Sequence, residues 1–391
     1  MVGEGSAAGS GKLPGTALRR LPLLILTFAS LLLGMGAGLA RLRWNIPLPD
    51  RGMLVSHGPL MVGGFLGTVI SLERVVGLGA IWGYGAPITF LAASLALVLR
   101  PGEAPGPWLL AAGSAWMCVI FIVLLVKHRT VPLALMTVAA FAFLAGNGVL
   151  AGGHAVYGAV PLWIAFLVLT IAGERLELNR VLPIKRRKIL TFQGILGGAL
   201  LGALVATSGF LFDSSGGYEA IPGVGDRWTS PLADGGMRLL GLCLLLTGWW
   251  LLANDIARKG WRMQGLPRFI AACMLLGYMW LVIAGTLFLW SGSIVSGPRY
   301  DAMLHGIFLG FVFSMIFGHA PVIFPGVLGV RMVFSWWSYV PLLMLHLTLL
   351  GRVAADLFAR DLGRRHGGMG NAASILVFLI LTASSVRKRE S

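Results

Sequence analysis

Charged residues are scarce in this chain of 391 residues. Asp, Glu, Lys and Arg together make up 12% of the sequence, whereas hydrophobic residues make up 57%. Soluble globular domains usually contain about a quarter charged residues and about half apolar ones. The composition therefore predicts a polytopic membrane protein, because the apolar surface is large enough to face lipid as well as the protein interior. The lipid bilayer is the first partner that we expect.

Cysteine and acidic residues are also few. The three cysteines, Cys118, Cys243 and Cys273, lie inside apolar runs, which favours small buried residues over a disulfide framework or a zinc site. The 15 acidic residues are outnumbered by 31 basic ones, so the net charge is +16. The basic residues lie mainly between apolar runs and form no patch interleaved with aromatic residues, which argues against a nucleic-acid partner. Membrane topology explains them better, since cytoplasmic loops are enriched in Lys and Arg.

Long apolar runs are abundant and predict an all-α fold, a polytopic integral membrane bundle of about twelve transmembrane helices. The predicted spans cover residues 21–41, 52–74, 78–99, 107–126, 131–152, 155–173, 190–211, 236–254, 268–291, 300–320, 334–357 and 370–386. Residues 1–17 are predicted to form a flexible cytoplasmic tail, and residues 18–391 a single twelve-helix domain. With the N-terminus inside, 20 Lys and Arg residues fall on the inner side and 11 on the outer side. This asymmetry predicts that both termini lie inside.

Two histidines occupy matching positions in the predicted spans. His57 and His305 each lie about five residues into an even-numbered span, roughly 8 Å below the outer surface, and each is followed by glycine. An imidazole inside lipid is costly and calls for an explanation. Two imidazoles at equal depth on parallel helices could hold one haem iron between them. The alternative is a pair of buried polar residues that form hydrogen bonds with neighbouring groups.

Two further histidines are candidate metal ligands. His319 lies 14 residues beyond His305 and on the same helix face, whereas His346 lies near the middle of the eleventh span. These two residues differ in predicted depth by a couple of turns, so they pair less well than His57 and His305. We expect His319 to be a polar residue at a helix end, because Pro321 and Pro325 are predicted to terminate the tenth span.

Charged residues gather where several even-numbered spans end, and we call this group the rim. It comprises Glu73, Arg74, Glu174, Arg175, Asp255 and His319. A carboxylate at a helix C-terminus is opposed by the helix dipole, so the glutamates need neighbouring arginines. One interpretation is a network of ion pairs that fixes the helix ends. The other is an uptake point for protons or anions.

With these motifs the sequence resembles the NnrS family of haem- and copper-containing membrane proteins, which are associated with denitrification and nitric-oxide stress. That family is related in architecture to subunit I of haem–copper oxidases. The resemblance covers the chain in outline and two stretches in detail: His57, Met61, Gly64 and Phe65, then His305, Gly310, Met315, Gly318 and His319. It implies a bacterial inner-membrane protein with haem b between His57 and His305. The implied roles are nitric-oxide response, denitrification or electron transfer with a redox partner protein.

The sequence also departs from the oxidase pattern. Oxidases place a copper ion on histidines of spans six and seven, whereas residues 155–173 and 190–211 contain no histidine. Reduction of oxygen or nitric oxide by the oxidase mechanism is therefore not supported. A copper ion is possible but has no supporting set of ligands in the sequence. Whether the protein is an enzyme stays open. The alternative function is a proton-coupled transporter or channel that uses the carboxylates and histidines of the rim. Twelve spans suit a transporter, although no inverted repeat is evident.

Overall fold

The computed structural model describes residues 15–179, 184–213, 217–221 and 224–387. Within these residues twelve helices are long and apolar enough to cross a membrane, which confirms the predicted all-α, multi-pass bundle. Most of the predicted tail, residues 1–14, lies outside the described residues. The helices are α1 Gly15–Arg41, α2 Arg51–Leu78, α3 Ile81–Leu99, α4 Pro105–His128, α5 Val131–Ala151, α6 Val156–Leu178, α7 Arg186–Phe212, α8 Pro231–Asn254, α9 Leu266–Ser291, α10 Gly297–Leu328, α11 Trp336–Leu357 and α12 Asp361–Ser384.

Several helix ends follow from local capping chemistry. The hydroxyls of Thr130 and Ser230 accept hydrogen bonds from the third residue of α5 and α8, at 3.4 and 3.3 Å. Each of these helices carries a proline in its first turn, where the missing amide hydrogen is not needed. These are the ordinary signals of a helix start, and they position both spans.

The predicted end of the tenth span is wrong. Helix α10 continues through Pro321 and Pro325 to Leu328, and Gly329 in the left-handed conformation ends it. A proline inside a helix removes one backbone hydrogen bond, but neighbouring helices allow membrane helices to tolerate this loss. His319 therefore lies within a helix, two turns before its end.

The start of the twelfth span is also earlier than predicted. Helix α12 begins at Asp361, nine residues before the expected start, so the polar Gly-rich segment 361–369 is helical. The long connection after α7 adds a small antiparallel hairpin, β1 Tyr218–Ile221 with β2 Gly225–Trp228. A second short pair, β3 Arg331–Met332 with β4 Val386–Arg387, joins the segments that follow α10 and α12.

Helix α6 lies at the centre of the bundle. In its most apolar 18-residue window 89% of residues are buried, compared with 33% in α12. Its aromatic side chains Trp163 and Phe166 are fully enclosed, and Phe166 stacks on Phe143 of α5 at a centroid distance of 4.2 Å. The three cysteines are free and buried, as predicted.

Glycines set the close approach of α7 and α8. A Cβ atom added to Gly202 would lie 2.6 Å from the backbone nitrogen of Leu240, which cannot move without shifting the helix. Small residues of this kind let membrane helices pack backbone against backbone.

We expect Gly202→Ala to lower the free energy of unfolding by about 1–3 kcal/mol, as overpacking does elsewhere. Gly197→Ala on the same helix is the matched control, since its added methyl group meets nothing within 4 Å. Thermal unfolding in detergent measures both variants. Equal melting temperatures for the two would contradict this account of the α7–α8 contact.

Candidate cofactor-binding site

His57 and His305 lie side by side at one end of the bundle, which we call the cavity end. Each is followed by a π-helical segment, Leu60–Gly67 in α2 and Gly306–Phe313 in α10. In each segment a hydroxyl four residues downstream donates to a glycine carbonyl, Thr68 to Gly64 at 2.5 Å and Ser314 to Gly310 at 2.6 Å. Such π-helical turns are rare in proteins, and those that occur are frequently part of a functional site.

The spacing of the two imidazoles suits a metal between them. Their ring centroids are 6.3 Å apart and their planes differ by 22°. Two metal–nitrogen bonds of about 2 Å in line, with roughly 1 Å from each nitrogen to its ring centre, give about 6 Å. The separation of the ring centroids of His57 and His305 therefore leaves room for one metal ion between the two imidazoles.

The hydrogen bonds of both rings select the same tautomer. Nδ1 of His57 donates to the carbonyl of Gly34 at 2.7 Å, and Nδ1 of His305 donates to the carbonyl of Asp301 at 2.9 Å. A proton on Nδ1 leaves the lone pair of Nε2 available to a metal, and an outer hydrogen bond of this type orients metal-binding histidines generally. Gly38 of α1 leaves the room for this arrangement, because its added Cβ would lie 2.7 Å from Cε1 of His57.

A second aromatic pair keeps α2 and α10 in register. Phe65 and Phe313, each eight residues beyond its histidine, stack at 6.0 Å with planes 21° apart. Phe311, which follows Gly310 as Phe65 follows Gly64 in the sequence, instead has its ring centre 6.5 Å from that of Tyr278. The two helices are thus parallel and at equal depth over at least two turns.

His57 and His305 line a cavity of about 710 Å³, a volume within the usual range for cofactor sites. Helices α1, α2, α6, α10, α11 and α12 line it. Its apolar wall includes Trp163, whose Nε1 donates to Asn147 at 3.0 Å, and Asn147 in turn donates to Ser114 at 2.6 Å. The indole is therefore held in one orientation.

The mouth of the cavity is cationic. Arg41, Arg352 and Arg364 line it, and Asp301 is the acidic residue among its lining residues. Arg352 donates from Nε and Nη2 to Oδ2 of Asp301 at 3.0 and 2.8 Å, and Arg364 pairs with the buried Asp356 at 3.0 Å. Arg41 has no ion pair within the part of the chain that the structure describes. The mouth therefore offers positive charge to an anionic group.

His319 and His346 lie elsewhere, and both use their ring nitrogens in hydrogen bonds. Nδ1 of His346 accepts from Nε1 of Trp280 at 2.8 Å, and its Nε2 lies 3.2 Å from the hydroxyl of Ser314. Nδ1 of His319 donates to the carbonyl of Met315 at 2.7 Å, and its Nε2 accepts from Arg175 at 2.7 Å. In these arrangements neither ring has a lone pair to offer a metal.

The rim residues assemble at the opposite end of the bundle, where they form two groups. Arg74 of α2 forms an ion pair with Glu174 of α6, and Glu73 lies 3.8 Å from the same guanidinium. Arg175, the next residue of α6, instead contacts His319 of α10. Helix α6 thus connects α2 and α10, the two helices that carry His57 and His305.

Asp255 lies beside the second group, just beyond the end of α8. Its carboxylate accepts hydrogen bonds from the amide of Ala257 at 2.8 Å and from Asn179 at 3.3 Å. Burial raises the pKa of Asp255, although Arg175 opposes that rise. None of the rim residues lines the large cavity. The two predicted sites are therefore separate places in the fold.

Three features of the cavity were missing from the sequence interpretation: Asp301, the arginines of the mouth and Trp163. Asp301 could have been found, because a carboxylate four residues before a histidine faces the same side of a helix. Arg352 could also have been found as a charge inside an apolar span. Trp163 gave no such signal, since tryptophan in an apolar run is ordinary.

The side chains that could bind a metal limit which metal the cavity could hold. Within the described ranges no group of three or more His, Cys, Asp or Glu side chains could hold a metal ion. Two imidazoles alone suit an iron whose four remaining ligands come from a porphyrin.

Comparison with known proteins gives a family match over nearly the whole chain. A family model described as "Domain of unknown function (DUF8744)" matches residues 20–387, a range that includes helices α2 to α12 and all of α1 from Arg20 onward. No curated protein matches the chain.

Proposed function

The chain belongs to the DUF8744 family, whose description assigns no activity, and we propose that it is a haem-binding membrane protein. The proposed group is haem b in the cavity, and His57 and His305 are the residues that would hold its iron. The observation that carries the proposal is the separation of 6.3 Å between two imidazoles whose Nδ1 atoms already have acceptors.

The remaining cavity residues suit the rest of such a group. Arg41, Arg352 and Arg364 lie at the mouth, where they would bind the two carboxylates of haem. Trp163, Leu66 and Phe313 lie deeper and would pack on the apolar ring while they exclude water. The cavity thus has the polarity gradient that an amphiphilic macrocycle requires.

The chemistry proposed for the site is electron transfer. When bound, haem supplies a one-electron redox centre. His57 and His305 would both hold the iron, which favours electron transfer over the binding of an external ligand. We propose a location in the bacterial inner membrane, a redox partner protein, and a role in nitric-oxide response or denitrification, as the NnrS resemblance implies. An oxidase-type copper site is not part of the proposal.

The absorption spectrum of the purified protein tests this function directly. We expect a Soret band, the sharp visible bands of a low-spin haem after reduction, and about one iron per chain, because two imidazoles give a strong axial field. Metal analysis and the spectrum are measured on protein expressed with a haem supply. A protein that contains no iron and takes up no added haem would contradict the proposal.

The second candidate is a proton-coupled transporter or channel, and the rim is the observation that favours it. Glu73, Glu174, Asp255 and His319 are titratable groups within a membrane bundle. Their partners are mostly arginines of the same rim, which equally suits a purely structural network. Substitution of Glu73 distinguishes the two, as argued in the Discussion.

A further inference from the structure

The two proposed axial histidines have different hydrogen-bond acceptors. Nδ1 of His57 meets the neutral carbonyl of Gly34 on α1 at 2.7 Å. Nδ1 of His305 lies 2.9 Å from the backbone carbonyl of Asp301 and 3.3 Å from its carboxylate oxygen Oδ1. Among the residues that the structure describes, a carboxylate therefore lies next to His305 but not next to His57.

We infer that Asp301 is a positioning residue that acts through His305 to lower the reduction potential of the bound iron. The inference rests on the proposed function, because it assumes that His305 is an axial ligand. A carboxylate beside the Nδ1 proton attracts that proton and so increases the electron density on Nε2, which makes the imidazole a stronger donor. A stronger donor stabilises the oxidised iron more than the reduced iron.

The surrounding charges fix the carboxylate in this position. Arg352 bonds to Oδ2 through two nitrogens, so Oδ1 is left facing His305. Arg364 lies 3.9 Å from Oδ1, too far for a hydrogen bond, and pairs with Asp356 instead. Arg352 is buried, so its contact with Asp301 is only weakly screened by solvent.

The same arrangement limits the effect of the carboxylate. Arg352 withdraws electron density from Asp301 and moderates its action on His305. Removal of Asp301 and removal of Arg352 should therefore shift the reduction potential in opposite directions. A role of Asp301 in stability alone predicts no such pair of shifts.

The test compares Asp301→Asn and Arg352→Gln with the wild type in full-length protein loaded with haem. We expect a higher midpoint potential for Asp301→Asn and a lower one for Arg352→Gln. The electron paramagnetic resonance g values of the oxidised haem should change in both variants, because they report the ligand field of His305. Asp356→Asn is the control, since it changes another carboxyl group of the same arginine network, bonded to Arg364, without contact to His305.

The outcomes separate this inference from the proposed function. A potential and g values that stay at the wild-type level in Asp301→Asn overturn the inference while haem binding stands. Equal shifts in Asp301→Asn and Asp356→Asn also overturn it, because they indicate bulk electrostatics. If Asp301→Asn does not bind haem, Arg352→Gln decides: a lower potential with altered g values supports the inference, and no change overturns it. A wild-type protein that binds no haem removes both proposals.

Discussion

His57→Ala and His305→Ala are each expected to abolish stable haem binding. Each substitution removes one of the two imidazoles whose centroids stand 6.3 Å apart, and no other histidine lines the cavity among the described residues. Loss of an outer partner of a metal ligand already costs about 10–100-fold in affinity, so loss of the ligand itself should exceed about 100-fold. The Soret absorbance per chain and a haem titration of the purified variants measure the effect.

The control variants test whether the effect is specific to this pair. His366→Ala changes an exposed histidine of α12 and should leave the haem content unchanged. His346→Gln changes a buried histidine bonded to Trp280 and Ser314 and should lower stability without loss of the Soret band. Retention of low-spin haem in both His57→Ala and His305→Ala would place the ligands elsewhere. Loss of haem in His346→Gln alone would point to that residue instead.

The fold was largely accessible from the sequence because membrane helices have a strong local signal. All twelve spans follow from apolar runs of the length that a bilayer requires. The errors lie where local rules compete with packing: prolines 321 and 325 do not end α10, and the polar segment 361–369 is helical. In both places neighbouring elements stabilise a conformation that the local sequence disfavours. The orientation of the termini stays a prediction.

The candidate site was accessible only in part. Equal depth on parallel helices identified His57 and His305, since that requires only a count of residues along each span. The distance between them depends on the rotation of both helices and on the close approach of α1 at Gly38, which spacing cannot supply. The ring that stacks on Phe65 is Phe313, because both lie eight residues beyond their histidines, whereas Phe311 lies only six residues beyond His305.

The rim shows the same limit. Its residues were grouped in the sequence by the ends of their helices, but the division of contacts between Glu174 and Arg175 was not predictable. Adjacent residues on a helix point about 100° apart, so each contacts a different neighbour. The rim thereby links α6 to both ligand-bearing helices, and a stability effect there also bears on the distant cavity.

Glu174→Gln is expected to lower the free energy of unfolding by about 2 kcal/mol, because it removes the closer of the two carboxylates that pair with the largely buried guanidinium of Arg74. Arg74 is only 15% exposed, and its guanidinium also lies 5.8 Å from the ring centre of Phe121. Glu73→Gln is the matched control. Its carboxylate lies 3.8 Å from Arg74 and is 31% exposed, so its loss should cost less than about 1 kcal/mol. The two variants are compared by their melting temperatures in detergent, and Glu174→Gln should show the larger decrease.

The same pair of variants decides between the two functions proposed for the protein. If the rim is structural, Glu174→Gln should lower the melting temperature more than Glu73→Gln, and haem-loaded protein of both kinds should keep the wild-type spectrum. If the rim takes up protons, Glu73→Gln should instead abolish pH-driven uptake into liposomes while its melting temperature stays near that of the wild type. A large destabilisation by Glu73→Gln with none by Glu174→Gln would contradict the ion-pair geometry itself. Because Glu73 is the less tightly paired of the two carboxylates, it is the one whose substitution separates proton transfer from stability.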